Sequence, residues 1–344
     1  MIERPPTQSP QLNGGPPASG SEVPVSVVIP LYNEALSVGR LLNSLERQSH
    51  RPTEVVCVDA GSGDDTVERI RGFGGSLPVR LLCRGRLNPG EARNEGVRYA
   101  SGDWIAFADG GTVAGNSWLE ALMSRAAQGA DVVFGSYEPV CDAFFRRCAA
   151  LAYVPGRSAE GIRGPFVASM ALRRDVFNAV GGFPPHRASE DLVFMAKLRS
   201  SVFRVAYAPH AVVHFETAPS VALTFRRFAL YSRVNLEAGR GRFWHRGVAR
   251  QYALVLSMLC VGYLLGGGAW LLAFIPAWFG ARAIKAAWKK KGDLPFSVFR
   301  PDYLAGAAGI ILLLDVATWT GAFCWLAGRL ANSIRGGDGM HELS

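Results

Sequence analysis

Carboxylate and small polar residues follow several apolar segments in the first third of the chain, at the points where these segments end. Glu34 follows the first segment, Asp59 ends the second and Asp109 follows a later one. A further acidic pair, Glu190-Asp191, opens a helix-like segment. Carboxylates accept hydrogen bonds, bind divalent cations and take protons from hydroxyl groups. The repeated clusters therefore predict one polar ligand site.

These polar clusters are placed by segments that alternate between strand and helix. Continuously apolar, β-branched runs predict buried strands, and apolar residues at helical spacing predict helices between them. The predicted strands are 25–29, 54–58, 79–83 and 103–108, and the predicted helices are 35–48, 65–71 and 91–100. This alternation is typical of an α/β fold with a mostly parallel central sheet. Ligands of such sheets bind outside the carboxyl ends of the strands, where the polar clusters lie.

The pattern is mixed from residue 115 to about residue 207. It predicts helices at 118–127 and 191–199, and strands at 131–135 and 166–172. His210 and His214 lie further on, and no nearby acid or cysteine completes a metal-binding set with them. We expect ordinary packing or surface roles for both histidines.

Positive charge is concentrated late in the chain. The formal net charge is +9, and the segment from Arg226 to Arg250 carries seven arginines and one acid. Basic residues among aromatic ones are compatible with nucleic-acid binding. Their position directly before an apolar segment instead predicts a basic collar, 226–250, on an anionic membrane surface, with no nucleic-acid partner. Arg226 and Arg227 are candidates for contact with a phosphate group.

Two apolar segments follow this collar. Residues 253–281 carry no charge and residues 303–328 carry only Asp315, and each is longer than the about 20 residues that cross a bilayer. Buried helices of a soluble protein are the alternative, but the basic and Trp-rich flanks favour membrane insertion. Basic residues on both sides of the first segment, with Gly266-Gly-Gly268 in its middle, favour a hairpin over a straight crossing. Asp315 is costly in lipid and should face protein.

The first residues of the chain and its cysteines indicate where in the cell the protein lies. Residues 1–23 are rich in proline and glycine, which predicts a disordered leader, and they lack the apolar core of a signal peptide. The six cysteines form no CxxC pair, so we expect reduced core residues. These features predict an integral protein of the cell membrane whose first domain stays in the cytoplasm.

Five segments resemble, in order, the motifs of the family 2 glycosyltransferases, which are inverting enzymes of the GT-A fold. They are PVSVVIPLYNE at 24–34, VVCVDAGSGDDT at 55–66, GEARNEGVRYASGDWIAFADGG at 90–111, VGGFPP at 180–185 and ASEDLVFMAKL at 188–198. The resemblance covers roughly residues 24–215 and implies a nucleotide-sugar donor. It suggests a leader at 1–23, a GT-A domain at 24–225, the collar at 226–250, a membrane region at 251–331 and a polar tail at 332–344.

The resemblance implies donor contacts after the first two strands and in the third helix. The matching residues are Pro30, Tyr32, Glu34, Asp59, Gly61, Ser62, Arg93 and Asp109. Simpler roles stand beside these assignments. Asp59 can cap its own turn, Glu34 can stabilise a helix start, and Arg93 can be an exposed helix cation.

A metal site is implied at Asp109, which matches the first aspartate of the family's Asp-x-Asp motif. The second aspartate would stand at position 111, where this chain has Gly111, and glycine offers no side-chain ligand. Three readings remain open: Mg²⁺ or Mn²⁺ held by Asp109 with diphosphate and water, replacement of the metal by Arg and Lys groups, or a different mode of donor binding.

The acidic pair Glu190-Asp191 matches the family's catalytic motif. Inverting transfer needs a base that takes the proton from the acceptor hydroxyl, and the resemblance points to Asp191 for that role, with Glu190 orienting it or stabilising the helix start. Alternatively, both acids are first-turn charges favoured by the helix dipole.

The sequence therefore predicts a membrane-anchored glycosyltransferase of hexosyltransferase type, acting in cell-envelope glycan synthesis on a lipid-linked or cell-surface glycan acceptor. The alternative is a catalytically silent membrane protein that uses the nucleotide-sugar fold as an assembly module. Gly111 favours that alternative, whereas Glu190-Asp191 opposes it because a binding module needs no base.

Overall fold

The computed structural model describes residues 23–164, 166–185, 190–264 and 270–337. The predicted leader before residue 23, the Gly266-Gly-Gly268 break and the end of the predicted tail from residue 338 lie outside the described residues.

The described chain begins as alternating strands and helices, which follow from its alternating apolar patterns. The strands are β1 (Val25–Leu31), β2 (Glu54–Asp59), β3 (Val79–Cys83), β4 (Trp104–Phe107), β5 (Thr112–Ala114), β6 (Val132–Pro139), β7 (Met170–Arg173) and β8 (Val205–Phe215). The helices of this part are α1 (Val38–Glu46), α2 (Thr66–Arg71), α3 (Pro89–Tyr99), α4 (Trp118–Ala127), α5 (Phe144–Tyr153), α6 (Arg174–Ala179) and α7 (Glu190–Arg199).

All eight strands form one sheet in the order β3-β2-β1-β4-β7-β6-β8-β5. β1 to β4 pair in parallel, which confirms the predicted α/β fold with its parallel sheet. β7 then runs antiparallel to both β4 and β6, and β5 runs antiparallel to β8, so the second half of the sheet is mixed. β6 and β8 are parallel to one another.

Apolar side chains cover both faces of this sheet. One core packs α1 and α4 against it through residues such as Leu41, Leu45 and Trp118. The opposite core packs α3, α6 and α7 against it, with Phe177 and Phe194 at its centre. The helices on both faces hold the carboxyl ends of β1, β2 and β4 at one edge of the molecule.

The remaining helices are α8 (Val221–Glu237), α9 (Gly241–Leu264), α10 (Trp270–Lys289) and α11 (Pro301–Gly337). A third apolar core joins α10 and α11 to α5, which belongs to the sheet domain. By length and composition, His245–Leu264 and Pro301–Ala331 are apolar enough to cross a membrane. The predicted segment 253–281 is thus divided between α9 and α10.

Candidate active site

The polar clusters of the first strands meet at one sheet edge. Leu31, the last residue of β1, is paired with Asp59, the last residue of β2, and β4 lies on the other side of β1. The loop after β4 brings Gly110 and Gly111 against the side chain of Glu34. The parallel register therefore assembles residues that are far apart in sequence.

Arg93 connects this edge to the acidic pair of α7. Its Nη2 donates a hydrogen bond of 2.7 Å to Asp109 Oδ1, and its Nη1 lies 3.8 Å from Glu190 Oε1. Arg93 is only 5% exposed, so the reading of an exposed helix cation is wrong. Its Nε and Nη1 have no hydrogen-bond partner among the described residues, which leaves donors free for an anionic ligand.

The sequence positions Arg93 through the start of α3. Asn88 and Glu91 form a capping box there, with Pro89 in the first turn, so the helix begins at a defined residue. The Arg93 guanidinium then lies 5.4 Å from the ring centroid of Phe183. These contacts hold the cation beneath the sheet edge.

The loop before α7 holds the acidic pair. The backbone N–H of Phe183 donates to Asn94 Oδ1 at 2.9 Å, and Asn94 Nδ2 donates to the Phe183 carbonyl at 2.8 Å. The Phe183 ring stacks on Phe194, with centroids 4.1 Å apart. Because Phe194 is one turn beyond Glu190 on α7, this stacking directs Glu190 toward Arg93.

The two acids of the pair have different surroundings. Glu190 is buried, and burial raises the pKa of its carboxyl group to about 7, an effect that the nearby negative charge of Asp191 increases and Arg93 opposes. Asp191 is partly exposed, and one of its oxygens accepts a hydrogen bond of 2.8 Å from the Leu192 N–H. Asp191 is thus the member of the pair that solvent can reach.

Glu34 lies between the first and fourth strand ends. Burial raises the pKa of its carboxyl group, a hydrogen bond from the Ser37 hydroxyl opposes that rise, and the negative charge of Asp109 adds to it. The backbone N–H of Glu34 donates to Thr66 Oγ1 at 2.7 Å. Two carboxylates, Glu34 and Asp109, therefore face the same small volume.

Asp59 caps its own turn, as the simpler reading holds. Its carboxylate accepts hydrogen bonds of 3.1 Å from the N–H groups of Gly61 and Ser62, and it is 3% exposed. Gly61 has a φ of +83°, which the turn requires. The residues on the β1 side, Pro30 and Tyr32, are more open, and Tyr32 is 58% exposed.

Helix α8 contributes Arg227, which the sequence singled out, and Tyr231, which it did not. Desolvation of its hydroxyl group raises the pKa of the Tyr231 phenol, and the negative charges of Asp191, Asp109 and Glu190 add to that rise. The positive charge of Arg227 opposes the rise in the pKa of the Glu34 carboxyl group, so this cation acts on one of the site's carboxylates. The signal for this arrangement was the interleaving of arginine and aromatic residues at 224–231.

The metal site has a limited ligand set. Asp109 keeps 34% of its side chain exposed, and only one of its carboxylate oxygens accepts a hydrogen bond from a described side chain. Among the described residues, no group of three or more His, Cys, Asp and Glu side chains is arranged to hold a cation. Carboxylate oxygens suit Mg²⁺ or Mn²⁺, so a cation fits here only if diphosphate and water complete its coordination.

Comparison with known proteins gives consistent matches. A family model described as "Glycosyl transferase family 2" matches residues 26–179. Glycosyltransferase AglE of Haloferax volcanii is 29% identical over 255 residues, which are 70% of this chain and 81% of AglE. A GalNAc(5)-diNAcBac-PP-undecaprenol beta-1,3-glucosyltransferase of Campylobacter jejuni is 26% identical over 115 residues, which are 33% of this chain and 38% of that enzyme.

A solved structure extends the likeness to the fold. The mannosyltransferase PcManGT of Pyrobaculum calidifontis, solved with GDP-Man and Mn²⁺, has a TM-score of 0.52 to this chain at 20% identity. The match covers 90% of each chain. At this identity the likeness concerns the fold.

Proposed function

Because this chain belongs to the family 2 glycosyltransferases and is a glycosyltransferase of the GT-A fold, we propose that it transfers a sugar from a nucleotide diphosphate sugar to an acceptor hydroxyl, with inversion. The observation that carries this proposal is the position of Arg93. Its guanidinium contacts Asp109 at the sheet edge and lies 3.8 Å from Glu190 on α7, which supports one shared site for donor binding and catalysis.

The donor lies, in this proposal, along the carboxyl ends of β1, β2 and β4. Asp59 and the loop around Tyr32 contact the nucleoside, and Asp109 and Arg93 lie at the diphosphate. The Nε and Nη1 donors of Arg93, which have no hydrogen-bond partner in the described part of the chain, support this placement, since charge-assisted hydrogen bonds to phosphate would satisfy them. Asp59 uses two backbone N–H groups to hold its turn, and a carboxylate has further lone pairs for a ligand.

Asp191 is the proposed base. It accepts the proton of the acceptor hydroxyl as that oxygen attacks the anomeric carbon from the face opposite the diphosphate. Its partial exposure supports this role, because the acceptor must reach it. Glu190 is held against Arg93 and orients the start of α7.

A divalent cation, Mg²⁺ or Mn²⁺, would be held by Asp109 together with the diphosphate. It would neutralise charge on the departing nucleoside diphosphate. Two side chains of this protein would neutralise the same charge. They are Arg93 and, on α8, Arg227. Arg226 is exposed beside it and suits a lipid phosphate.

The acceptor is proposed to be lipid-linked or a nascent glycan at the membrane. Two apolar helices and the basic collar support membrane attachment, with the catalytic domain on the cytoplasmic side. The Campylobacter jejuni relative is named for a PP-undecaprenol-linked acceptor. An enzyme tethered to the bilayer also gains effective concentration toward such an acceptor.

The test uses the detergent-solubilised full chain and a panel of UDP, GDP and dTDP sugars. Thermal stabilisation with and without Mn²⁺ identifies the donor, because a ligand that binds only the folded state raises the melting temperature. Nucleotide release is then measured with membrane lipid extract as acceptor. Binding followed by release supports the proposal. Binding with no release from any donor and acceptor pair would instead fit a silent nucleotide-sugar module.

A further inference from the structure

The backbone at Gly111 has room for a side chain. A Cβ atom built there would lie 3.8 Å from each carboxylate oxygen of Glu34, in ordinary van der Waals contact, and would meet nothing closer. An aspartate at this position would therefore direct its carboxylate into the volume beside that of Glu34. The Glu34 carboxylate therefore lies beside the position that the carboxylate of an aspartate at 111 would take.

Gly110 makes the approach of Glu34 feasible. A Cβ atom at Gly110 would lie 2.7 Å from Glu34 Cγ and 2.7 Å from Leu31 Cδ2, which is closer than side chains tolerate. The Glu34 side chain thus packs against the two glycines after Asp109, in the space that their missing side chains leave. Glu34 is held there by the Ser37 hydroxyl, which donates to its Oε2.

An independent feature supports an anionic ligand at this place. Arg93 is 5% exposed, and its Nε and Nη1 lack hydrogen-bond partners among the described residues while its Nη2 contacts Asp109. Buried guanidinium donors without partners are costly. A diphosphate beside Asp109 would satisfy them, and it would bring its cation to the same carboxylates.

We propose that Glu34 supplies the second carboxylate of the metal–diphosphate site, in the place that Gly111 leaves without a side chain. The inference rests on the proposed function, since it assumes a nucleoside diphosphate ligand. Mg²⁺ and Mn²⁺ sites at phosphates commonly use one or two carboxylates, with phosphate and water oxygens as the other ligands. Asp109 and Glu34 together meet that requirement.

A purely structural role for Glu34 makes a different prediction. If Glu34 only stabilised the start of α1, its replacement would change the stability of the ligand-free protein and would leave metal dependence unaltered. The decisive quantity is therefore the metal-dependent part of nucleoside diphosphate affinity.

The experiment titrates the full chain in detergent with UDP and GDP by calorimetry, with and without Mn²⁺, and follows free Mn²⁺ by electron paramagnetic resonance. The variants are Glu34→Gln, Glu34→Ala, and Glu34→Ala combined with Gly111→Asp. Glu68→Gln, an exposed acid on α2, is the matched control. The melting temperature of each variant shows that it is folded.

The proposal predicts that Mn²⁺ raises nucleoside diphosphate affinity in the wild type and in Glu68→Gln. Glu34→Gln should lose at least about tenfold of that gain, because even outer-sphere metal partners contribute about 10–100-fold. Glu34→Ala should lose it too, and Gly111→Asp should restore it in the Ala background. Affinity measured without Mn²⁺ should not fall in the Glu34 variants, because they lose a negative charge beside the diphosphate.

Three results would overturn the inference while leaving donor binding intact. They are a wild type whose nucleoside diphosphate affinity ignores Mn²⁺, a folded Glu34→Gln variant with the full metal-dependent gain, and a folded double variant with no restoration. A wild type that binds no nucleoside diphosphate under any condition would instead contradict the proposed function itself.

Discussion

Arg93 is the residue on which the site depends, because its buried guanidinium stands between carboxylates from distant parts of the chain. It contacts Asp109 after β4 and faces Glu190 on α7. Without this cation the two acids would lose their shared partner, and a diphosphate would meet stronger repulsion from them.

Replacing Arg93 with Met should therefore weaken nucleoside diphosphate binding by more than about tenfold, since a charge-assisted hydrogen bond contributes roughly 1.5–3 kcal/mol. Calorimetry with UDP or GDP measures the change. Arg98→Met, on the exposed side of the same helix, is the control. Equal affinities of the Arg93 variant and the wild type would remove Arg93 from the site.

Glu190 leads to a pH prediction. Burial holds the pKa of its carboxyl group at about 7, above the ordinary value of 4.5. Between pH 4.5 and about pH 7 the folded protein keeps a proton on Glu190 that the unfolded chain releases. The free energy of unfolding therefore falls as pH rises through this range, and Glu190 contributes no further change above it. The total change is on the order of 3 kcal/mol.

Glu190→Gln carries no such proton, so its melting temperature should vary less than that of the wild type from pH 4.5 to pH 7. Thermal unfolding of the ligand-free chain at several pH values measures this difference. Glu68→Gln should keep the wild-type dependence. If Glu190→Gln also kept the wild-type pH dependence of the melting temperature, a group other than Glu190 would cause that dependence.

The identities of the site residues were open to prediction from sequence, but their environments were not. Arg93 lies in a polar stretch that is typical of an exposed helix face, and its burial comes from Phe183, about ninety residues later in the chain. The charges of Asp191 and Glu190 act on Tyr231, which lies about forty residues further along the chain on α8. Such contacts between distant segments leave no local pattern.

At the scale of elements, the packing of α8 on α11 connects the candidate active site to the C-terminal helices. The Ser232 hydroxyl donates to the Thr318 carbonyl at 2.6 Å. Gly321 on α11 lies opposite, and a Cβ atom there would overlap the Ala229 carbonyl and lie 2.7 Å from Ser232 Cβ. The close approach of the two helices therefore requires a glycine at this position.

Gly321→Ala should lower the melting temperature and weaken nucleoside diphosphate binding, because α8 must move away from α11 and takes Arg227 with it. Gly309→Ala on the same helix is a matched control, since a Cβ atom at Gly309 would meet nothing within 4 Å. That control should be neutral or stabilising, as alanine favours helix by about 0.5–1 kcal/mol. Similar melting temperatures for the two variants would contradict this packing.

Element prediction succeeded where the pattern was local and failed where pairing set the structure. β1 to β4 and α1 to α4 follow from apolar runs and helical spacing. β8 was not predicted, because its partly exposed residues, including His210 and His214, break the apolar pattern. Its position depends on pairing with β6 and β5.

At the scale of the whole molecule, the sheet domain and the C-terminal helices are joined by buried polar contacts as well as by an apolar core. Lys290 donates to the carbonyl oxygens of Ala150 and Leu151 near the end of α5. The Arg163 side chain pairs with Glu138 and also donates to the Asp293 carbonyl. These contacts tie the orientation of the catalytic domain to that of α10 and α11.

Asp315 joins the C-terminal helices to one another. It accepts hydrogen bonds from Tyr252 on α9, at 2.9 Å, and from Arg282 on α10. The expectation that Asp315 faces protein is confirmed, since it is 4% exposed. A buried carboxylate with two partners fits a helix bundle in a low-dielectric environment.

Arg282→Met should destabilise the protein by about 3–5 kcal/mol, because it leaves a buried carboxylate without its cation. The double variant Arg282→Met with Asp315→Leu should recover most of that loss, since both charges are removed together. Unfolding in detergent by denaturant measures both. A double variant as unstable as the single one would show that the pair is not the source of the effect.

The proposed reaction depends on one site in which Asp191 removes the proton of the acceptor. The most direct test compares the rate of sugar transfer and the affinity for the nucleoside diphosphate in the wild type and in Asp191→Asn. We predict a loss of about 10²–10⁴-fold in kcat, the usual contribution of a general base, with affinity unchanged within about twofold. A wild-type transfer rate in Asp191→Asn would contradict the proposed role of Asp191 as the base.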